Sequence, residues 1–172
     1  MITREFYRCA CRFTNVRGLT ILRRVTNDAA IAATTPLFHD VELRVRYAET
    51  DQMGVVYHSN YFIWFEVGRV ELLRQLGFSY REMERQDGCF IAVVDARCRY
   101  KAPARYDDEV LIRTRLKSAR ESLVHFAYEV VRESDGTLLA EGETTHIVTD
   151  AEMKITTIPE KYLTIFRGAI SR

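Results

Sequence analysis

The segment at residues 47–61, read YAETDQMGVVYHSNY, carries the side chains best suited to chemistry. Asp51 precedes His58 by seven positions, and Asn60 opens a long apolar run. A carboxylate can attack or take a proton, and free backbone N–H groups at a helix N-terminus can hold a developing oxyanion. Spacing alone leaves a second interpretation open, in which Asp51 caps a loop while His58 and Asn60 merely begin a helix.

The elements around this segment follow from the spacing of the apolar residues. Residues 41–47 alternate apolar and polar, which is typical of a half-buried strand. Residues 61–76 are apolar on nearly all sides, which predicts a buried helix ending at Gly77. A short helix at 79–86 follows, and then four strands at 90–101, 109–118, 123–133 and 138–149. This order predicts the α+β class, with an antiparallel sheet wrapped around one long helix.

The composition is that of an ordinary globular domain. The 172 residues include 25 Lys and Arg against 24 Asp and Glu, so no overall charge favours nucleic acid as a partner. No apolar run reaches the roughly 18 residues of a membrane span, so membrane insertion is not expected. The four cysteines form no C-x-x-C pair and have no His at zinc-finger spacing, which favours a reduced, cytoplasmic protein over a disulfide scaffold.

Residues 1–37 are predicted to be a disordered N-terminal extension, followed by a single domain at 38–172. The extension is rich in arginine but has no sustained period of two or 3.6 residues. A transit peptide is the alternative, although the extension contains no serine. We expect the extension to be dispensable.

Two motifs carry a family resemblance. The core TDQMGVVYHSNY at 50–61 and the strand-like CRYKAPARYDDEV at 98–110 resemble the 4-hydroxybenzoyl-CoA thioesterase family of hotdog-fold proteins. The likeness is greatest to its branch of Tol–Pal-associated acyl-CoA thioesterases, and runs from about Val41 to about Pro159. The resemblance implies a hotdog fold, hydrolysis of acyl-CoA without a cofactor, and a homodimer or homotetramer with active sites between protomers.

The resemblance also implies roles for individual residues. The second acid of the family motif is its essential carboxylate, which makes Asp51 the expected catalytic group, while Glu49 receives no catalytic role. His58 matches the motif histidine, whose backbone N–H would polarise the thioester carbonyl. Asp51 could form a mixed anhydride or activate water, and both routes stay open.

The remaining expectations concern binding. Tyr57 and Asn60 are expected to shape the substrate pocket or cap the helix, and Gly54 to let the substrate pass close to the backbone. The phosphates of coenzyme A require basic residues near the entrance of the pocket, and the candidates by position are Arg99, Lys101, Arg105 and Lys154. No metal site is expected, because His39, His58, His125 and His146 are scattered along the sequence.

Three alternatives remain from the sequence. Glu66 lies on an apolar stretch, and a pair with Arg69 is favoured over a catalytic role. An acyl carrier protein could replace coenzyme A as the carrier of the acyl group. A hotdog module without catalytic activity, serving in binding or assembly, is the third alternative.

Overall fold

The computed structural model describes residues 38–170, which form a five-stranded antiparallel sheet and three α-helices. In chain order the elements are β1 (Phe38–Arg44), α1 (Asn60–Gln75), α2 (Tyr80–Asp87), β2 (Phe90–Tyr100), β3 (Glu109–Arg120), β4 (Leu123–Arg132), β5 (Leu138–Thr149) and α3 (Glu160–Ile170). The sheet order β1-β3-β4-β5-β2 places β1 and β2 at the two edges. The predicted α+β class is confirmed, whereas the predicted extension at 1–37 lies outside the described residues.

The long helix α1 packs one face against the sheet. Its buried residues recur every three or four positions, at Tyr61, Trp64, Phe65, Gly68, Arg69, Leu72 and Leu73. Gly68 permits a close approach to β3, because a Cβ atom there would clash with the Thr114 hydroxyl and lie 3.0 Å from Ile112. The sheet covers the long helix as predicted, but within one chain it leaves the opposite face open, where Ile63 is 52% exposed.

The edge strand β2 is mostly exposed along its length. Val93 and Val94 are 51% and 52% exposed, and the pairing register with β5 shifts between Val93 and Asp95. Such a shift marks a β-bulge, which bends a strand locally. Exposed apolar side chains on an unpaired edge are a template for pairing with another strand.

The strand β1 ends three residues earlier than the predicted strand at 41–47. The chain leaves the sheet shortly after Arg44, although the Val45 N–H still donates to the Asp108 carbonyl at 2.9 Å, in register with the pairing of β1 and β3. Tyr47–Glu49 then forms a short 3₁₀ turn that leads to Asp51. The first strand therefore delivers the chain directly into the candidate site.

The C-terminal helix α3 is additional to the predicted elements. It follows Pro159, and its buried residues include Tyr162 and Phe166, whose rings lie 4.8 and 5.5 Å from that of Phe78. Among the residues described, no helix combines the length and apolar character that crossing a membrane requires.

Candidate active site

The loop from Thr50 to Val56 fixes the backbone of Asp51. Its N–H donates to the Val55 carbonyl at 2.9 Å, and its carbonyl accepts the Gly54 N–H, also at 2.9 Å. Gly54 has a φ of +72°, a conformation that side chains rarely adopt, so the turn requires glycine. Gly54 thus shapes this loop through its backbone.

The Asp51 carboxylate is half-buried and partly engaged. Its Oδ1 accepts the Met53 N–H at 2.8 Å, so the loop-capping interpretation is correct for one oxygen. The other oxygen, Oδ2, has no hydrogen-bond partner within residues 38–170, and the residue lines a pocket. A single carboxylate can therefore both hold its loop and offer an oxygen to a reactant.

The turn into α1 presents the backbone of His58. The Tyr57 carbonyl accepts the Asn60 N–H at 3.0 Å, and the His58 carbonyl accepts the Tyr100 hydroxyl at 2.9 Å. In the described part of the chain, the His58 N–H donates to no carbonyl. The imidazole is exposed and lies against the Tyr57 ring, with centroids 4.3 Å apart. A free N–H at this turn is suited to stabilising an oxyanion.

Glu49 holds the two halves of the site together, a role that the sequence analysis missed. Its carbonyl accepts the Tyr57 N–H at 2.9 Å and the Asn60 side-chain amide at 2.7 Å. The Asn60 side chain therefore connects the start of α1 to the residues before Asp51, because its amide donates to the Glu49 carbonyl. This bond gives Asn60 a positioning contact at the start of α1.

The Glu49 carboxylate is itself buried, with only 5% of the residue exposed. It accepts the Arg46 N–H at 2.8 Å, the Arg46 guanidinium at 2.6 Å and the Trp64 indole N–H at 3.2 Å. Burial raises the pKa of Glu49, but these hydrogen bonds outweigh it and leave the pKa below its ordinary value. A buried tryptophan needs an acceptor for its N–H, and that need was the signal available in the sequence.

The pocket beside Asp51 has a volume of about 390 Å³ and a largely apolar wall. Its lining residues are Asp51, Val55, Val56, Tyr57, His58, Tyr61, Tyr100, Lys101, Ala102 and Pro103. The structure thus brings together four of the predicted site residues, namely Asp51, Tyr57, His58 and Lys101. Such a wall suits an acyl or pantetheine chain better than a highly charged ligand.

Two predicted basic residues lie elsewhere within one chain. Arg99 lines a different pocket on the sheet, together with Arg97. Lys154 is exposed in the turn after β5, where its backbone N–H donates to the Asp150 carboxylate at 2.9 Å. Among the basic candidates, only Lys101 lines the Asp51 pocket.

Glu66 pairs with Arg69, as expected, although only the arginine is buried. Side-chain exposure is 6% for Arg69 and 53% for Glu66. Arg69 also donates to the Tyr80 hydroxyl at 3.0 Å, and its Nη1 lies 3.4 Å from Nε2 of His146. Glu66 does not line the Asp51 pocket. Across residues 38–170, no three His, Cys, Asp or Glu side chains are grouped to hold a metal ion.

Comparison with known proteins places the chain in a family. Residues 45–166 match the model of the "Thioesterase-like superfamily". The chain is 40% identical to "Putative acyl-CoA thioesterase YneP" of Bacillus subtilis over 111 residues, which cover 64% of this chain and 79% of the relative. It is 34% identical to "Acyl-CoA thioester hydrolase YbgC" of Escherichia coli O6:H1 over 126 residues, covering 73% and 92%.

A solved structure agrees with this assignment. The DHNA-CoA thioesterase from Staphylococcus aureus superposes with a TM-score of 0.68 at 35% identity, covering 77% of this chain and 87% of that one. The family match includes the strands β2 to β5, the long helix and the loop at its N-terminus. The chain belongs to the thioesterase-like superfamily of hotdog-fold proteins.

Proposed function

We propose that this protein is an acyl-CoA thioesterase, which hydrolyses a thioester to a free acid and coenzyme A. The observation that carries the proposal is the pocket at the N-terminus of α1, where Asp51 and His58 line one largely apolar space. The likeness to relatives named as acyl-CoA thioesterases supports the same reaction here.

Asp51 has two chemical routes in this proposal. As a nucleophile, its carboxylate adds to the thioester carbonyl carbon, the C–S bond breaks, and coenzyme A leaves as a thiolate that takes a proton from water. Water then hydrolyses the acyl–aspartyl anhydride to the free acid. As a base, Asp51 instead takes a proton from a water molecule that attacks the carbonyl carbon directly. The C–S bond then breaks, and the departing thiolate takes up a proton, which returns Asp51 to its ionised form. Negative charge develops on the thioester oxygen in both routes, and the His58 N–H stabilises it.

Substrate binding divides between the pocket and the basic residues around it. Gly54 and Tyr57 shape the space near the thioester, and Lys101 stands at the pocket, where it pairs with Glu141 at 2.8 Å. Lys101 would bind a phosphate of coenzyme A by exchanging its carboxylate partner for it, and Arg99, two residues earlier, would add positive charge nearby. Lys154 follows the end of β5 that pairs with Phe90, at the opposite end of β2 from Lys101, so it would contribute to a phosphate site from a second copy of the chain.

The functional unit in this proposal is a homodimer, and two dimers form a homotetramer. The exposed edge of β2, with Val93 and Val94, and the open face of α1 at Ile63 supply apolar surface for a second copy. The described cysteines, Cys89 and Cys98, are free thiols, in keeping with a cytoplasmic enzyme.

The test is release of free thiol from a panel of acyl-CoA and acyl-carrier-protein thioesters, with Asp51→Asn as the control. The panel spans aromatic, short aliphatic and long-chain acyl groups. We expect hydrolysis of acyl-CoA that depends on Asp51. Turnover of acyl-carrier-protein thioesters alone would show that the carrier is an acyl carrier protein and not coenzyme A. If the wild type hydrolyses none of these substrates, the remaining interpretation is a binding or assembly role.

A further inference from the structure

We infer that Tyr100 is a positioning residue, which holds the His58 main chain so that its N–H meets the developing oxyanion. This inference rests on the proposed thioesterase function. It concerns a hydroxyl group that the two routes for Asp51 do not use.

Tyr100 connects the sheet to the turn that begins α1. It is the last residue of β2, and its hydroxyl donates to the His58 carbonyl at 2.9 Å across 42 positions of the chain. The Tyr100 ring packs edge-on against Tyr61, with centroids 5.1 Å apart and planes at 75°. Tyr61 is only 2% exposed, so the ring that aims the hydroxyl rests on a fixed surface.

The two peptide groups that flank His58 are both anchored. The Tyr57 carbonyl is held by the Asn60 N–H at 3.0 Å, and this peptide group also contains the His58 N–H. Because a peptide group is planar, fixing its carbonyl fixes the direction of that N–H. The next carbonyl, that of His58, is held by Tyr100, so the two hydrogen bonds together constrain both backbone torsions of His58.

The two anchors differ in origin. The bond from Asn60 is local to the turn and forms wherever this turn forms. The bond from Tyr100 comes from β2, which pairs with β5 from Phe90 to Tyr100. Tyr100 therefore sets the position of the turn relative to the sheet, which also forms part of the pocket wall.

The hydroxyl keeps its proton under all assay conditions of interest. Burial raises the pKa of Tyr100 to about 12. The group is thus a permanent hydrogen-bond donor near neutral pH, and its anchoring effect does not titrate with the reaction.

The test is Tyr100→Phe, which removes one oxygen atom and keeps the ring that packs on Tyr61. Misplacing an oxyanion donor costs rate and leaves substrate affinity alone, so we expect kcat to fall about tenfold with KM within about twofold. The matched control is Tyr106→Phe, because Tyr106 is 57% exposed and its hydroxyl makes no hydrogen bond within residues 38–170. The control should leave both constants unchanged.

Each outcome decides the inference. Unchanged kcat in Tyr100→Phe overturns it, as does a loss confined to KM, which would make the hydroxyl a substrate contact. Loss of folded protein would assign the hydroxyl to stability and also overturn it. Wild type and Asp51→Asn are assayed alongside: an inactive wild type overturns the proposed function as well. Active wild type, inactive Asp51→Asn and normal Tyr100→Phe overturn only the role of Tyr100.

Discussion

The helix α1 has polar groups at two places that differ in their access to reactants. At its N-terminus, Asp51 and His58 line an open pocket and are held by backbone hydrogen bonds. Farther along, Arg69 meets His146 inside the core, where His146 is 0% exposed. Both places contain charged or titratable groups, and Arg69 lines a second pocket together with Tyr80. His146 is fully buried, whereas Asp51 and His58 line a pocket that is open to solvent.

The buried cluster around His146 shows how strongly the protein interior can change the pKa of a side chain that has no access to solvent. Burial, together with the Arg69 charge, lowers the pKa of His146 to about 3, so the imidazole is neutral. Its Nε2 lies 2.8 Å from the Thr144 hydroxyl, which in turn lies 2.8 Å from that of Tyr128. His146 thus has a strongly shifted pKa without access to solvent, so a shifted pKa does not by itself identify a functional group here.

The largest difference between the two places is expected when the carboxylate at each, Asp51 or Glu66, is replaced and turnover is measured. Asp51→Asn should lower turnover at least about a hundredfold, the scale for losing a nucleophile or general base. The fold should survive, because an asparagine Oδ1 still accepts the Met53 N–H. Glu66→Gln, at the partner of Arg69, is the matched control and should keep near-normal activity. Steady-state kinetics of both variants check this, and the reverse result would move catalysis to Glu66.

His58 tests whether the backbone or the side chain acts at the N-terminus of α1. His58→Ala keeps the N–H, so the loss of turnover should be about ten- to a hundredfold and smaller than that of Asp51→Asn. A backbone donor does not titrate, so the wild-type pH–rate profile should contain no limb that His58→Ala removes. Kinetics of wild type and both variants from about pH 5 to 9 provide the measurement. A loss equal to that of Asp51→Asn, with a vanished limb, would make the imidazole a general acid.

The buried imidazole of His146 predicts a pH-dependent contribution to stability. The pKa of His146 is lower in the folded state than in the unfolded chain, so its contribution is complete above about pH 6.5 and is lost as the pH falls toward 3. A fall in pH from about 6.5 to about 5 should reduce the free energy of unfolding by about 2 kcal/mol, because the unfolded chain gains a proton on His146 that the folded protein does not. Urea unfolding of wild type and His146→Gln at both pH values measures it. Equal acid sensitivity of the two proteins would contradict the assignment.

The smallest effect is expected from removing residues 1–37. The family match begins at residue 45, inside the predicted domain at 38–172. A chain beginning at Phe38 should therefore keep the melting temperature, oligomeric state and activity of the full chain. Calorimetry, size-exclusion chromatography and the thiol-release assay check the three properties. Insoluble or inactive protein would place the N-terminal residues in the folded unit.

The sequence predicted those parts of the fold whose signals are local. The strand at 138–149 was predicted with its observed bounds, because alternation and the preceding Gly136 turn both lie within a few residues. The prediction for β1 was three residues late at both ends, because the bounds of this strand depend on its pairing with β3, from Phe38–Arg115 to Arg44–Glu109, between residues far apart in the sequence. The helix α3 had a local signal, since Pro159 precedes Tyr162, Leu163 and Phe166 at helical spacing.

The candidate site also combines residues that a local motif predicts with contacts that distant residues make. Asp51 and His58 share one motif, and the structure brings them to one pocket. The contacts that hold them depend on distant residues: Trp64 reaches Glu49 across 15 positions, and Tyr100 reaches His58 across 42. A sequence pattern gives the residue types, whereas such partners emerge only when strand and helix meet in the fold.

The exposed edge of β2 has a consequence for how the protein responds to dilution. If two copies pair through Val93 and Val94, folding and association are linked, and the melting temperature falls as the protein is diluted. Dilution would also free the β2 edges for pairing with non-native strands. The temperature at which the β2 edges become exposed on heating should then be lower in dilute samples, where the assembly is incomplete, and higher at concentrations that keep the edge covered.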